Sequence, residues 1–210
     1  MKTTITPRRF GRTAIATALA ATALAAIPAS GSAATKFGAQ LNPTVQPSNS
    51  LPGLPCAHQN PGQKCTMVSN EAYGRPDGGE RAPKSGTIRK IRLIAGGPGS
   101  FRLQIAKVKR STLNQTNEAK VVRNGPVIHY QGQTQQNWDS DHYNVESFNV
   151  DVEVHKGEYL AMKTKSTSMI RCSSGGDNTL IYQPALLAGG GFTPASSTDG
   201  CWTLMEAVIR

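Results

Sequence analysis

The sequence is short of aromatic residues: two Trp, five Tyr and five Phe in 210 positions. That leaves little with which to stack bases, and no nucleic-acid partner is expected. Acids are also scarce, with 13 Asp and Glu against 23 Lys and Arg. The four cysteines and four histidines match no standard zinc spacing, so no metal site is assigned to them. After residue 34 no apolar run is long enough to span a bilayer, which excludes a helical transmembrane segment from that part of the chain. No stretch beyond the first residues carries the 3.6-residue apolar repeat of an amphipathic helix.

What is present starts with MKTTITPRRFGRTAIATALAATALAAIPASGSAA. Four basic residues without an acid, an Ala/Leu run and a small-residue end read as a secretory signal peptide over residues 1–34, with Ala33 or Ala34 as the last residue before cleavage. Arg8-Arg9 raises the twin-arginine route, but Gly11 stands where that signal wants a bulky apolar residue, so ordinary export is the expectation. Removing this leader changes the charge: 10 − 4 leaves +6 for the mature chain. The remainder is uneven, with eleven Lys/Arg against one acid from Arg81 to Arg123, and five against nine from Asn124 to Arg210.

An exported chain with an even cysteine set reads as two disulfides. Of the three pairings, Cys56 with Cys65 and Cys172 with Cys201 are favoured. The first closes a short loop around Pro61-Gly62, and the second ties a strand end to the last strand. On a loop-entropy model the second closure stabilises by roughly 3 to 4 kcal/mol, less strain.

Residues 35–55 carry four prolines and almost no periodic apolar pattern, which predicts an extended arm. Residues 56–210 form one domain, large enough to bury a core of its own. FNVDVEV alternates Phe148, Val150, Val152 and Val154 with polar residues, the period of a strand with one buried face. HKGE then turns and YLAMKTK returns, which predicts a hairpin, and IRKIRLI with FRLQIAKV across GGPGS predicts another. Further short runs at AKVVR, PVIHY, SMIRC, TLIYQ and WTLMEAVI lie between Gly, Pro, Asn and Ser clusters. The fold class expected is all-β: an antiparallel β-sandwich, jelly-roll-like, with two disulfides.

GTIRKIRLIAGGPGSFRLQIAKVK, AKVVRNGPVI, VHKGEYLAMKTKSTSMIRCSSGGDNTLIYQP and DGCWTLMEAVIR resemble a group of uncharacterised secreted actinobacterial β-sandwich proteins. The resemblance covers about residues 85–210, and its most specific piece is the Cys-Ser-Ser-Gly-Gly stretch paired with Asp-Gly-Cys-Trp near the end. It implies the sandwich and the Cys172–Cys201 bond, and it implies no activity.

Two glycine-rich stretches invite catalytic readings that their context denies. GGPGS lacks the Lys-Ser/Thr ending and the following helix of a phosphate loop. CSSGGDN lacks the glycine two before the serine of a hydrolase elbow. A distributed triad would need no local motif, and His142 with the nearby aspartates is the only place a hydrolase alternative can be put. The sharper candidates are two. The basic block places Lys90, Arg92 and Arg102 on strands opposite core residues, a cationic face for an anionic wall polymer or acidic polysaccharide. Against it stands the plainer reading that these cations form cross-strand pairs. WDSDH supplies Trp138, Asp139, Asp141, His142 and Tyr143, a polar-aromatic surface site for carbohydrate. The two aspartates could hold Ca²⁺, although the EF-hand continuation is absent. Against this stands a long polar loop with Trp138 folded over the core as a lid. The expectation is a secreted or envelope-associated, non-catalytic binding protein, with a hydrolase or a purely structural protein as alternatives.

Overall fold

The computed structural model describes residues 34–47, 56, 63–76, 78–110, 117–165, 170–172 and 176–210. The leader expected over 1–34 lies almost wholly outside them. The strands among them are β1 (Thr35–Gly38), β2 (Cys65–Ser69), β3 (Gly86–Leu93), β4 (Gly99–Lys109), β5 (Glu118–Tyr130), β6 (Glu146–Val154), β7 (Tyr159–Thr164), β8 (Ile170–Cys172), β9 (Thr179–Tyr182), β10 (Thr193–Pro194), β11 (Ser197–Asp199), β12 (Cys201–Thr203) and β13 (Met205–Ile209). One short helix, α1 (Gln135–Asp139), precedes β6. The strands pair antiparallel in one sheet of order β1-β13-β3-β6, a second of order β10-β5-β4-β7-β2-β9-β11, and a small β12-β8 pair. Sheets of four and seven strands depart from the eight strands of a simple jelly roll.

Both large sheets contribute to one core. Phe37, Ile88, Ile91, Val152, Val154, Ala207 and Ile209 come from the four-stranded sheet, and Met67, Phe101, Leu103, Ile105, Ile128, Leu160, Met162 and Ile181 from the seven-stranded one. The alternation read in the sequence selects these residues, but neither expected hairpin forms. β3 pairs with β13 and β6, whereas β4 pairs with β5 and β7. β6 likewise stays in the smaller sheet while β7 joins the larger. Both turns are therefore corners between sheets. Alternation says which residues meet the core, not which sheet the strand joins, and a strand that crosses to the facing sheet buries its apolar side on that same core.

The arm expected from residue 35 begins inside the domain. β1 pairs along β13 from Thr35↔Ile209 to Gly38↔Glu206, and Phe37, Ala39, Leu41 and Val45 are buried. Four apolar residues were enough to dock the segment despite its prolines. Of the expected disulfides, Cys56–Cys65 is formed. Cys172 and Cys201 are register partners in the β8–β12 pair.

The other face of the seven-stranded sheet is apolar at one end only. Along β7, Leu160 and Met162 enter the shared core while Tyr159 and Ala161 join Val68, Ala106, Val121, Leu180 and Tyr182 in a second cluster. The segment 183–196 covers that cluster. It places Leu186 against it, donates the Leu186 N–H to Thr66 Oγ1 at 3.0 Å and reaches β5 through β10. Burial pushes the Tyr182 phenol well above its ordinary range.

A basic groove as the candidate functional site

Beyond the covered end, the same sheet face opens into a groove of about 690 Å³ lined by Lys64, Gly99, Ser100, Phe101, Arg102, Val127, Lys163, Thr164 and Lys165. Strand register places its cations. Arg102 of β4 lies opposite Lys163 of β7 on one side and Val127 of β5 on the other. Thr66 of β2 is the next partner of Lys163. Lys165 and Lys64 lie just past the ends of β7 and β2, next to the paired Thr164 and Cys65, and His129 is opposite Ser100. Arg102 is exposed between buried Phe101 and Leu103, so its stem leaves the face opposite the core. The lining includes four cations and no carboxylate. None of the four takes part in an ion pair among the described residues.

Seven other cations of the basic block meet carboxylates, five of them on three buried ones, while Lys84, Lys90 and Lys120 form no ion pair among the described residues. Glu206, 2% exposed, receives Arg92 at 2.5 Å, Arg75 at 2.7 Å and Lys36 at 3.4 Å. Glu158, 1% exposed, receives Arg123 at 2.7 Å and accepts the His155 backbone N–H at 2.8 Å. Glu80 takes Arg110 at 3.1 Å and Arg81 at 3.3 Å. At the surface, Arg89 falls in the bulge between Ile88 and Lys90 and meets Asp151 at 2.6 Å, and Lys109 meets Glu118 at 3.3 Å. Removing a cation from a buried carboxylate leaves an uncompensated charge, so the cations on Glu206, Glu158 and Glu80 serve the fold, whereas the two exposed pairs contribute little.

The expected face of Lys90, Arg92 and Arg102 is thus divided. Lys90 and Arg92 pair with Val208 and Glu206 on the outer side of the four-stranded sheet, whereas Arg102 belongs to the seven-stranded one. The corner between β3 and β4 separates them. Arg92 serves Glu206, and Arg102 alone of the three lines the groove. Sequence reasoning missed Lys64, Lys163 and Lys165. The KTK of YLAMKTK carried a signal, because two lysines at i and i+2 on a strand share a face.

Of the polar loop expected at WDSDH, Trp138 and Asp139 belong to α1, while Ser140, Asp141 and His142 lie in the turn and loop after it. Thr134 caps α1, its side chain accepting from the Asn137 backbone while Asn137 reaches back to the Thr134 N–H. Gln133 anchors the approach, donating to Ala95 O at 2.9 Å and accepting the Asn144 N–H at 2.6 Å. Tyr143, expected at the surface, is 2% exposed. Its ring packs with Ala39, Leu41, Val45, Ile94 and Leu204, and its N–H donates to Pro43 O at 2.6 Å. The docked N-terminal segment is the physical reason. Trp138 is half-buried on this cluster and meets Tyr143 edge-on, centroids 5.3 Å apart, the geometry of a lid.

Around that lid the polar groups are exposed. Asp139 accepts from Gln135 at 2.8 Å, and Asp141, at φ +50°, accepts the Tyr143 hydroxyl at 3.0 Å. Burial raises the Tyr143 phenol, and the hydrogen bond to the Asp141 carboxylate adds to the shift. The His142 side chain is exposed, and its backbone carbonyl accepts from Asn137 at 3.0 Å. Gln46, Gln135, Trp138, Asp141 and Tyr143 border an open hollow of about 440 Å³. No group of three His, Cys, Asp or Glu able to hold a metal ion occurs among the described residues. No helix among them is long and apolar enough to cross a membrane. No family model matches the chain, and neither the curated proteins nor the solved structures compared with it contain a match.

Proposed function

We propose that the chain is an exported, non-catalytic binding protein whose ligand is an anionic polymer of the cell envelope or its surroundings. The groove of Lys64, Arg102, Lys163 and Lys165 is its binding surface. One observation carries the reading: seven other cations of the basic block meet carboxylates within the fold, whereas Arg102 of that block converges with Lys64, Lys163 and Lys165 on a concave surface lined by no carboxylate. Cations left unneutralised in a cleft focus the field and draw in anions. The reading includes the signal peptide, a Cys172–Cys201 bond, a sandwich of the exported group that residues 85–210 resemble, and no cofactor. The register pairing of Cys172 with Cys201 supports the bond. Retention of the mature protein on purified wall fractions, titrated with salt, tests the function. Lys163→Glu with Lys165→Glu is expected to abolish retention, while Lys90→Glu, on the other sheet, leaves it intact. Equal retention of all three proteins refutes the groove.

A second reading attaches to the hollow at Trp138. Half of an indole beside the Asp141 carboxylate and the amides of Gln46 and Gln135 suits a sugar ring, whose C–H face packs on the aromatic while its hydroxyls meet the polar groups. Retention competed by neutral sugar and insensitive to salt would favour this site over the groove.

A further inference from the structure

We infer that the groove engages consecutive charges of a flexible, linear phosphate polymer without bases, rather than a single anion; this rests on the reading of the groove as the binding surface. The register carries the argument. Arg102 and Lys163 face each other across β4 and β7, Lys165 follows the last residue of β7, and Lys64 immediately precedes β2, whose first residue Cys65 pairs with Thr164. Neighbouring strands are about 4.8 Å apart, and alternate residues of one strand about 6.7 Å. The four cations therefore form a staircase over β4, β7 and the chain just before β2, with the Arg102–Lys163 step about 5 Å.

Directly opposed like charges destabilise a sheet. Here Arg102 and Lys163 form such a pair, with Val127 and Thr66 beside them in register, and Lys64 and Lys165 line the same groove just past the ends of β2 and β7. No carboxylate lies within the staircase, so a bound anion is what relieves the repulsion. A single small anion can bridge one pair at most. A chain carrying one charge per repeat can meet all four cations, crossing from Arg102 and Lys163 to Lys165 and Lys64 along the groove.

The composition of the lining narrows the class further. Its aromatic residue, Phe101, is 2% exposed with its ring in the shared core, and the remaining non-basic lining is Gly99, Ser100, Val127 and Thr164. Such a surface offers no plane on which a base could stack. It offers charge and small polar groups. Polyol-phosphate wall chains and inorganic polyphosphate share the required chemistry, repeated phosphate on a flexible backbone.

The experiment uses the mature full-length protein with fluorescently labelled inorganic polyphosphate, read by anisotropy across a salt series. Four engaged cations predict a slope of log affinity against log salt of roughly −0.7 per cation, about −2.8 in all, or about a 50-fold loss from 50 to 200 mM salt. Lys163→Gln and Lys165→Gln should each take about 0.7 off that slope, and Lys90→Gln should leave it unchanged. Orthophosphate should compete at least tenfold more weakly per phosphate than the polymer, and oligo(dT) of matched charge more weakly than polyphosphate. Purified polyol-phosphate wall chains serve as the second phosphate source, and the tighter competitor identifies the source. Equal competition by orthophosphate, or a slope near −1 that the groove variants do not change, overturns the multi-charge inference while leaving anion binding in the groove standing. Tighter binding of oligo(dT) overturns the class of polymer. Failure of the protein to bind polyphosphate or polyol-phosphate chains overturns this inference, and the proposed function falls with it only if salt-sensitive retention on whole wall fractions is also absent.

Discussion

Reversing the charge of Arg92 and of Arg102 separately divides what holds the fold from what meets a ligand. Arg92 lies directly opposite Glu206 in the β3–β13 register, its guanidinium 2.5 Å from a carboxylate that is 2% exposed. Losing a charge-assisted hydrogen bond to a buried acid costs about 1.5 to 3 kcal/mol. Arg75 and Lys36 remain on Glu206, which puts the loss near the lower figure. Arg92→Glu also sets two carboxylates across adjacent strands. At about 5 Å and an effective dielectric near 20 their repulsion is about 3 kcal/mol, reduced because the side chain at position 92 is about a quarter exposed and the new one can turn to solvent. The expected total is roughly 4 kcal/mol, a fall in Tm of roughly 8 to 16 °C for a domain of this size. Arg102→Glu removes an exposed side chain whose only described partner is the Gly125 carbonyl at 3.2 Å, so stability should stay within about 0.5 kcal/mol. Urea unfolding and polyphosphate anisotropy on both variants give the answer. If Arg92→Glu is as stable as the parent and loses binding, while Arg102→Glu binds normally, the assignment of structural and ligand-facing cations is refuted.

Trp138→Ala should destabilise by about 2 kcal/mol in urea, less than the 3 to 5 kcal/mol of a fully buried large aromatic, because the indole is only half-buried on the Tyr143 cluster; no change would make it a free platform. Thiol titration of the denatured, unreduced mature protein should find no free thiol, and peptide mapping should link Cys172 to Cys201; two reactive thiols per chain would remove the second bond. Glu153 is held below its ordinary value of 4.5, first by its hydrogen bond with His155 and then by the charges of His155 and Arg123. The stability it adds is complete above its unfolded-state value and drains away as pH falls through the lower folded value. Glu153→Gln should therefore lower the urea midpoint at about pH 6 and leave it nearly unchanged near pH 3; an equal loss at both would show that the carboxylate charge is not what matters.

Local chemistry alone determined the strand-forming residues. The alternation in FNVDVEV put Val152 and Val154 in the core because side chains on a strand point to opposite faces whatever sheet it joins. The Cys56–Cys65 bond was legible too, since its loop is short. What the sequence could not reveal depended on which strand lies beside which. A corner and a hairpin use the same turn residues, so GGPGS and HKGE did not show that β3 and β4, or β6 and β7, part company between sheets. That parting split Lys90 and Arg92 from Arg102. The fate of the charges depended on pairings distant in the chain: Glu206 sits 114 residues from the Arg92 it holds, and no local pattern marks such a partner. The groove joins Lys64, Arg102, Lys163 and Lys165 from three separate segments of the chain. The neighbourhood of WDSDH was decided the same way, because only the docking of residues 35–47 against β13 and α1 turned Tyr143 inward. Period and turn chemistry act over a few residues and are written in the sequence, whereas charge neutralisation and concavity arise between distant segments and exist only once the sheets have closed.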